Sequence, residues 1–272
     1  VVGREVALIE TLVVVAGASF LTGVVFAWFL KKHRNVPEFA LRLEYIVYFQ
    51  DLPQDNTLPE QNAPPFCEWV FPTTHPTYFH PEMLFGPHTE PPSLPINLSQ
   101  ANTACKISSR ATLDAPTWEP LKSAVQFILQ LCEHPLVLTV WDRESDKFYL
   151  PEEWRTTFTP PDNLVNFESH VQTEWEDQIQ MGRAYTKGMT KAGFPEMEMR
   201  YVPLDHRTLA LYLVTASASE CWKRGSIAPA EVEGFGECFR IEFTERRWHE
   251  QKRGALITQI RAMRKRKDLA PS

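Results

Sequence analysis

The stretch Leu121 to Leu150 reads LKSAVQFILQLCEHPLVLTVWDRESDKFYL, and its two halves follow different periods. In the first half Leu121, Val125, Ile128, Leu129 and Cys132 recur at helical spacing and share one face. Thr117 is placed to cap this helix, Pro120 falls in its first turn and Pro135 stops it. In the second half Leu136–Trp141 is a short apolar strand, Asp142–Asp146 a polar turn and Lys147–Leu150 a returning strand. A tight connection between paired strands makes them antiparallel. The stretch therefore predicts an α+β fold, a small antiparallel sheet with helices packed on it, over residues 121–272.

Downstream the spacing of Leu164, Val171, Trp175 and Ile179 predicts a second helix opening at Pro160-Pro161-Asp162 and ending near Gly182. Glu196–Val202 alternates as a strand, and Leu204–Arg207 is a turn. Thr208–Ala216 (TLALYLVTA) reads as an apolar strand. A long basic C-terminal helix is expected from Pro229 to Lys267, broken near Gly254. Upstream, residues 37–50 alternate Leu41, Leu43, Tyr45, Val47 and Phe49 with other side chains, which predicts a strand, a continuing helix being the alternative.

Proline outnumbers glycine, 22 to 11, and thirteen of the prolines lie between Asp51 and Pro120. Proline excludes long helices and central strands, so 51–120 is expected as an extended arm. Its many aromatic residues, Phe66, Trp69, Phe71, Tyr78, Phe79 and Phe85 among them, suit an arm laid on a surface rather than a solvated linker.

Residues 1–36 hold twenty uncharged residues, Thr11–Leu30, the length of a membrane-spanning helix. Lys31-Lys32-His33-Arg34 follow it, which places the larger C-terminal part on the cytoplasmic or matrix side. Ser19, Gly23 and Ala27 form a small-residue stripe suited to helix–helix packing in lipid. The start Val1-Val2-Gly3, without methionine, fits a removed organellar targeting segment, with first residues lying upstream of Val1 as the alternative.

Net charge is −6, yet Arg246–Ser272 alone carries +7. Arg261, Arg264, Lys265, Arg266 and Lys267 on an amphipathic helix are expected to meet anionic lipid or an acidic partner, and the acidic body argues against nucleic acid. Five widely spaced cysteines without a C-x-x-C suggest reduced thiols.

The chain contains no P-loop, G-x-G-x-x-G, G-x-S-x-G, H-E-x-x-H or EF-hand pattern. Residual candidates read as structural. His75, His80 and His88 with Cys67 lack paired zinc spacing. Ser217, Ser219 and Cys221 follow an apolar run, but His206 lies across it. Cys132-Glu133-His134 ends a helix, and Asp142, Glu144 and Asp146 fit a solvated turn.

Together these features predict a non-catalytic, single-pass accessory subunit of a large membrane complex. The expected setting is a respiratory-chain or ATP synthase assembly of the mitochondrial inner membrane, with other subunits and lipid as partners. No cofactor, metal or small-molecule substrate is expected. The alternative expectation is a membrane-tethered enzyme with its site in the α+β domain.

Overall fold

The computed structural model describes residues 39–53, 67–80, 98–160, 163–249 and 255–264. The apolar stretch Thr11–Leu30, its Ser19, Gly23 and Ala27, His88 and Lys265–Lys267 lie outside the described residues. Among the described residues no helix is long and apolar enough to cross a membrane.

The fold is α+β. Strands β1 (Phe39–Phe49), β2 (Cys67–Val70), β3 (Thr103–Leu113), β4 (Val137–Asp142) and β5 (Lys147–Tyr149) form an antiparallel sheet in the order β2-β3-β1-β4-β5. The central strand is β1, and its burial explains its composition. From Tyr45 to Phe49 every residue is buried, so this strand needs apolar groups on both faces rather than a clean alternation. Leu43, Tyr45, Val47 and Phe49 enter the main core, while Ile46 and Tyr48 join Val70, Phe79, Leu98, Ala104 and Trp141 in a smaller one. The predicted helix is α1 (Glu119–Leu131), which buries Leu121, Ala124, Val125, Phe127, Ile128 and Leu131 in the main core.

A second sheet holds β6 (Gln172–Gln178), β7 (Met181–Lys187), β8 (Glu196–Pro203), β9 (Ala230–Gly234), β10 (Glu237–His249) and β11 (Ala255–Arg264), in the order β6-β7-β8-β11-β10-β9. Its pairs are antiparallel except β11 with β8. Two short helices, α2 (Pro151–Thr157) and α3 (Phe167–His170), precede it, and α4 (Arg207–Arg224) packs on it. Side chains of both sheets share the main core: Val47 and Val140 from the first, Ala184, Met197 and Ile241 from the second.

Four expectations are corrected. The stretch 51–120 is not an arm throughout, because Thr103–Leu113 pairs residue for residue with β1 and places Cys105 and Ile107 in the core. Its last residues, from Glu119, open α1.

The helix expected from Pro160 is a four-residue helix and then β6. Trp175 lies over Gly182, the diagonal position two residues from its strand partner Ala184, so closely that a Cβ there would sit 1.9 Å from the indole. That cross-strand contact, absent from any helical count, fixes the strand.

The apolar run Thr208–Ala216 is helical. Ala210, Leu213, Val214, Ser217, Ala218, Cys221 and Trp222 are its buried residues, a helical stripe. The run had to be read through to Trp222 for this spacing to show. Gly225 ends it with φ 69°, its N–H directed at the Cys221 and Trp222 carbonyls.

The long C-terminal helix does not form. Cys238, Arg240 and Glu242 alternate with Phe239 and Ile241, whose side chains are buried, a strand period. Phe235 and Gly236 have φ 55° and 76°, the paired positive angles of a type I′ hairpin between β9 and β10. Arg261 is an exposed strand residue opposite Glu242, and Arg264 stands opposite Phe239 on the same strand.

Candidate functional site

Beside the apolar core that the two sheets share, the interior also holds buried polar groups. Asp142 ends β4, and one carboxylate oxygen accepts from the Ser145 N–H at 3.3 Å, closing the turn that follows. The other accepts from Lys191 Nζ at 2.5 Å, and both side chains are wholly buried. Lys191 comes from a 3-10 turn, Met189–Ala192, bracketed by Gly188 (φ 104°) and Gly193 (φ 82°). Gly188 has no substitute there, because a Cβ would meet the His170 carbonyl oxygen at 2.2 Å.

Tyr45 and His170 complete the group. Lys191 Nζ stands 5.8 Å from the centre of the Tyr45 ring. His170 Nε2 is 2.8 Å from the Leu164 carbonyl oxygen and Nδ1 is 3.5 Å from the Tyr45 hydroxyl. Burial and the nearby Lys191 charge hold His170 well below its ordinary titration range. The ring is therefore neutral at pH 7. A carbonyl can only accept, so Nε2 carries the proton and Nδ1 accepts from Tyr45. Burial, with the Asp142 charge, raises Tyr45 well above a normal phenol. Burial, with the Lys191 charge, lowers Lys147.

Glu196 anchors the Lys191 turn from below. Its carboxylate accepts from Thr186 Oγ1 at 2.7 Å and from the Gly188 N–H at 2.8 Å. Desolvation outweighs these bonds and pushes its pKa up from 4.5 to about 7. Below about pH 4.5 folded and unfolded chains both hold this proton. Between there and about 7 only the unfolded chain ionises, so the folded state binds more protons and stability falls as pH rises. The loss across that window is on the order of 2–3 kcal/mol. Glu196→Gln is expected to remove it: urea midpoints followed from pH 4.5 to 7.5 should fall in the parent and lose that component in the variant.

The residues singled out in the sequence fall into different places. The hairpin acids are not a solvated turn. Asp142 takes Lys191, Glu144 takes Arg42 at 3.2 Å, and Asp146 takes Lys187 at 2.9 Å, so three carboxylates staple the turn to three other segments. Glu44 of β1 likewise binds Arg143 and, at 3.5 Å, Arg110. Ser217 and Cys221 sit inside α4, where Ser217 Oγ donates to the Leu213 carbonyl at 2.6 Å. Burial raises the Cys221 thiol to about 11. His206 precedes the helix, fifteen residues and about 22 Å of helical rise from Cys221, so the two do not meet. Cys132 is buried, its thiol pushed up to about 12, and His134 accepts the Leu136 N–H. His75 bonds Thr74, and no group of metal-ligating residues forms among the described residues.

The surface offers a second feature. Ile179 is 95% exposed, Tyr201 68%, Leu204 49% and Met181 41%. They lie at one end of the second sheet: Ile179 in the β6–β7 turn, Met181 opposite Pro203, and Leu204 just beyond β8. Tyr201 also holds φ 56°, a left-handed conformation that costs a bulky residue about 1–2 kcal/mol. Strain of this kind concentrates at functional positions. The alternation of Glu196–Val202 included Tyr201 but did not mark its exposure or its left-handed φ, and nothing periodic announced Lys191 or His170 in the sequence.

No protein-family model, curated protein or solved structure matches the chain.

Proposed function

We propose that the chain is a non-catalytic, single-pass accessory subunit of a large membrane complex, in which the α+β domain holds neighbouring subunits. The exposed apolar end of the second sheet carries this reading. Four large apolar side chains there, one of them on strained backbone, have no use in the domain's own core. The uncharged Thr11–Leu30 stretch supports the membrane part, and five free cysteines suit a reducing compartment such as the mitochondrial matrix. A respiratory-chain or ATP synthase assembly of the inner membrane is the setting that joins these features. Arg261, exposed on β11, and Arg264 on the same strand supply positive charge for an acidic partner or anionic lipid, now from a strand rather than a helix.

A second reading, a membrane-tethered enzyme, has one observation in its favour. Asp142, Lys191, Tyr45 and His170 bring four acid–base groups together, although all are sealed from solvent.

The test is native-gel migration of the endogenous protein from its source membrane in mild detergent. It should run within a heavier assembly whose members mass spectrometry identifies. A variant with Ile179→Glu and Tyr201→Glu should lose at least nine-tenths of that co-migration while keeping its thermal midpoint. A parent protein that runs alone and monodisperse, or a variant that stays in the assembly, overturns the proposal.

A further inference from the structure

Two of the five cysteines are neighbours. Cys67 opens β2, Cys105 lies in β3, and their sulfurs are 3.1 Å apart. The register sets Cys67 opposite Ile107 and Trp69 opposite Cys105, so the cysteines are diagonal partners across the ladder. A bonded pair of sulfurs is separated by about 2 Å, so roughly 1 Å of approach is needed. The strand that must move is the one best able to do so. It has four residues and, among the described residues, lies at the sheet edge paired with β3 alone.

Access differs between the two. Cys67 is half-buried and Cys105 wholly buried, so a reagent in solution meets Cys67 first. A hydrogen bond from Cys105 lowers the Cys67 thiol from its ordinary value, and the same bond with burial holds Cys105 protonated. This is the division of labour between an attacking and a resolving thiol. Cys132 and Cys221 are buried in the core, where burial raises both.

We propose that Cys67 and Cys105 form a reversible disulfide that clips the edge strand β2 to β3 when a small-molecule disulfide is present. The Cys67 thiolate attacks one sulfur of that molecule, forms a mixed disulfide and expels one small thiolate. Cys105 then loses its proton, attacks the Cys67 sulfur and expels the second. Two protein thiols are oxidised and one small disulfide is reduced to two thiols. The bridge closes a span of 38 positions and so restricts the unfolded chain, which raises stability in the oxidised form.

The test uses the full chain incubated with oxidised glutathione, then blocked with N-ethylmaleimide and digested for mass spectrometry. The expected result is a peptide linking Cys67 to Cys105, blockage of three thiols instead of five, and recovery of all five after dithiothreitol. The oxidised protein should melt several degrees higher, a shift that dithiothreitol reverses. Cys105→Ala should instead accumulate glutathione on Cys67. Five blocked thiols after oxidation, a linkage between other cysteines, or glutathione stably retained on Cys67 of the parent chain would each overturn the proposal.

Discussion

Lys191→Met is expected to destabilise the domain by about 3–5 kcal/mol, the usual cost of stranding one partner of a buried ion pair. Methionine matches the length of lysine and keeps the van der Waals contacts, so the loss reports charge rather than a cavity. What remains is Asp142, wholly buried and left with the Ser145 N–H at 3.3 Å. Replacing both residues, Lys191→Met with Asp142→Leu, should recover most of the loss, because the pair itself offsets its desolvation only narrowly. A double-mutant cycle in urea measures the difference. A single variant within 1 kcal/mol of the parent would sink the idea. Histidine titration provides a separate check. The Lys191 charge is one cause of the lowered His170 pKa, so removing it should move that pKa upward in an NMR titration.

The position of this pair explains why the domain tolerates so expensive a contact. Asp142 belongs to the first sheet, while Lys191 belongs to the turn between β7 and β8 of the second. Around it Asp146 meets Lys187, and Glu144 meets Arg42. Apolar packing alone fixes how much surface is buried but discriminates weakly between neighbouring registers. A charge that is satisfied in only one arrangement discriminates strongly. The network joins the first sheet to the β7–β8 turn through Asp142–Lys191, an ion pair that this arrangement satisfies.

The legible part of the fold is the part decided locally. Strands β1, β4 and β5 and helix α1 show their period within one short window and are bounded by prolines or a polar turn. Helix α4 was hidden because Leu209–Val214 is an unbroken apolar run, and periodicity cannot separate a buried strand from a buried helix over so short a run. Strands β9 to β11 were hidden by charge: Glu and Arg are good helix formers, and pairing across the hairpin overrode that preference. Asp142 was visible as a candidate, but its partner lies 49 positions away in a turn where a lysine between glycines reads as surface. Long-range pairing of this kind leaves no local signal.

Trp154→Ala is the second large effect, expected at about 3–5 kcal/mol, whereas Trp154→Phe should cost about 1 kcal/mol or less. Trp154 lies on α2, fully buried, with ring centres 5.5 Å from Tyr45, 5.2 Å from Tyr149 and 4.2 Å from Phe158. Alanine would remove the centre of this aromatic group and leave a cavity among Tyr45, Tyr149 and Phe158. Phenylalanine loses part of the area but also deletes the indole N–H, which is buried without a hydrogen-bond partner among the described residues. Burying such a donor costs about 1–3 kcal/mol, which offsets the smaller ring. Urea unfolding of the two variants separates the terms. If phenylalanine proves as costly as alanine, the N–H has a partner that the geometry does not display. The edge-on contact with Tyr45 carries the argument into the polar network, because the ring that Trp154 supports is the one facing Lys191 and His170. In the alanine variant His170 should therefore lose its protection from solvent, and its pKa should rise toward the ordinary imidazole value even at temperatures where the chain remains folded.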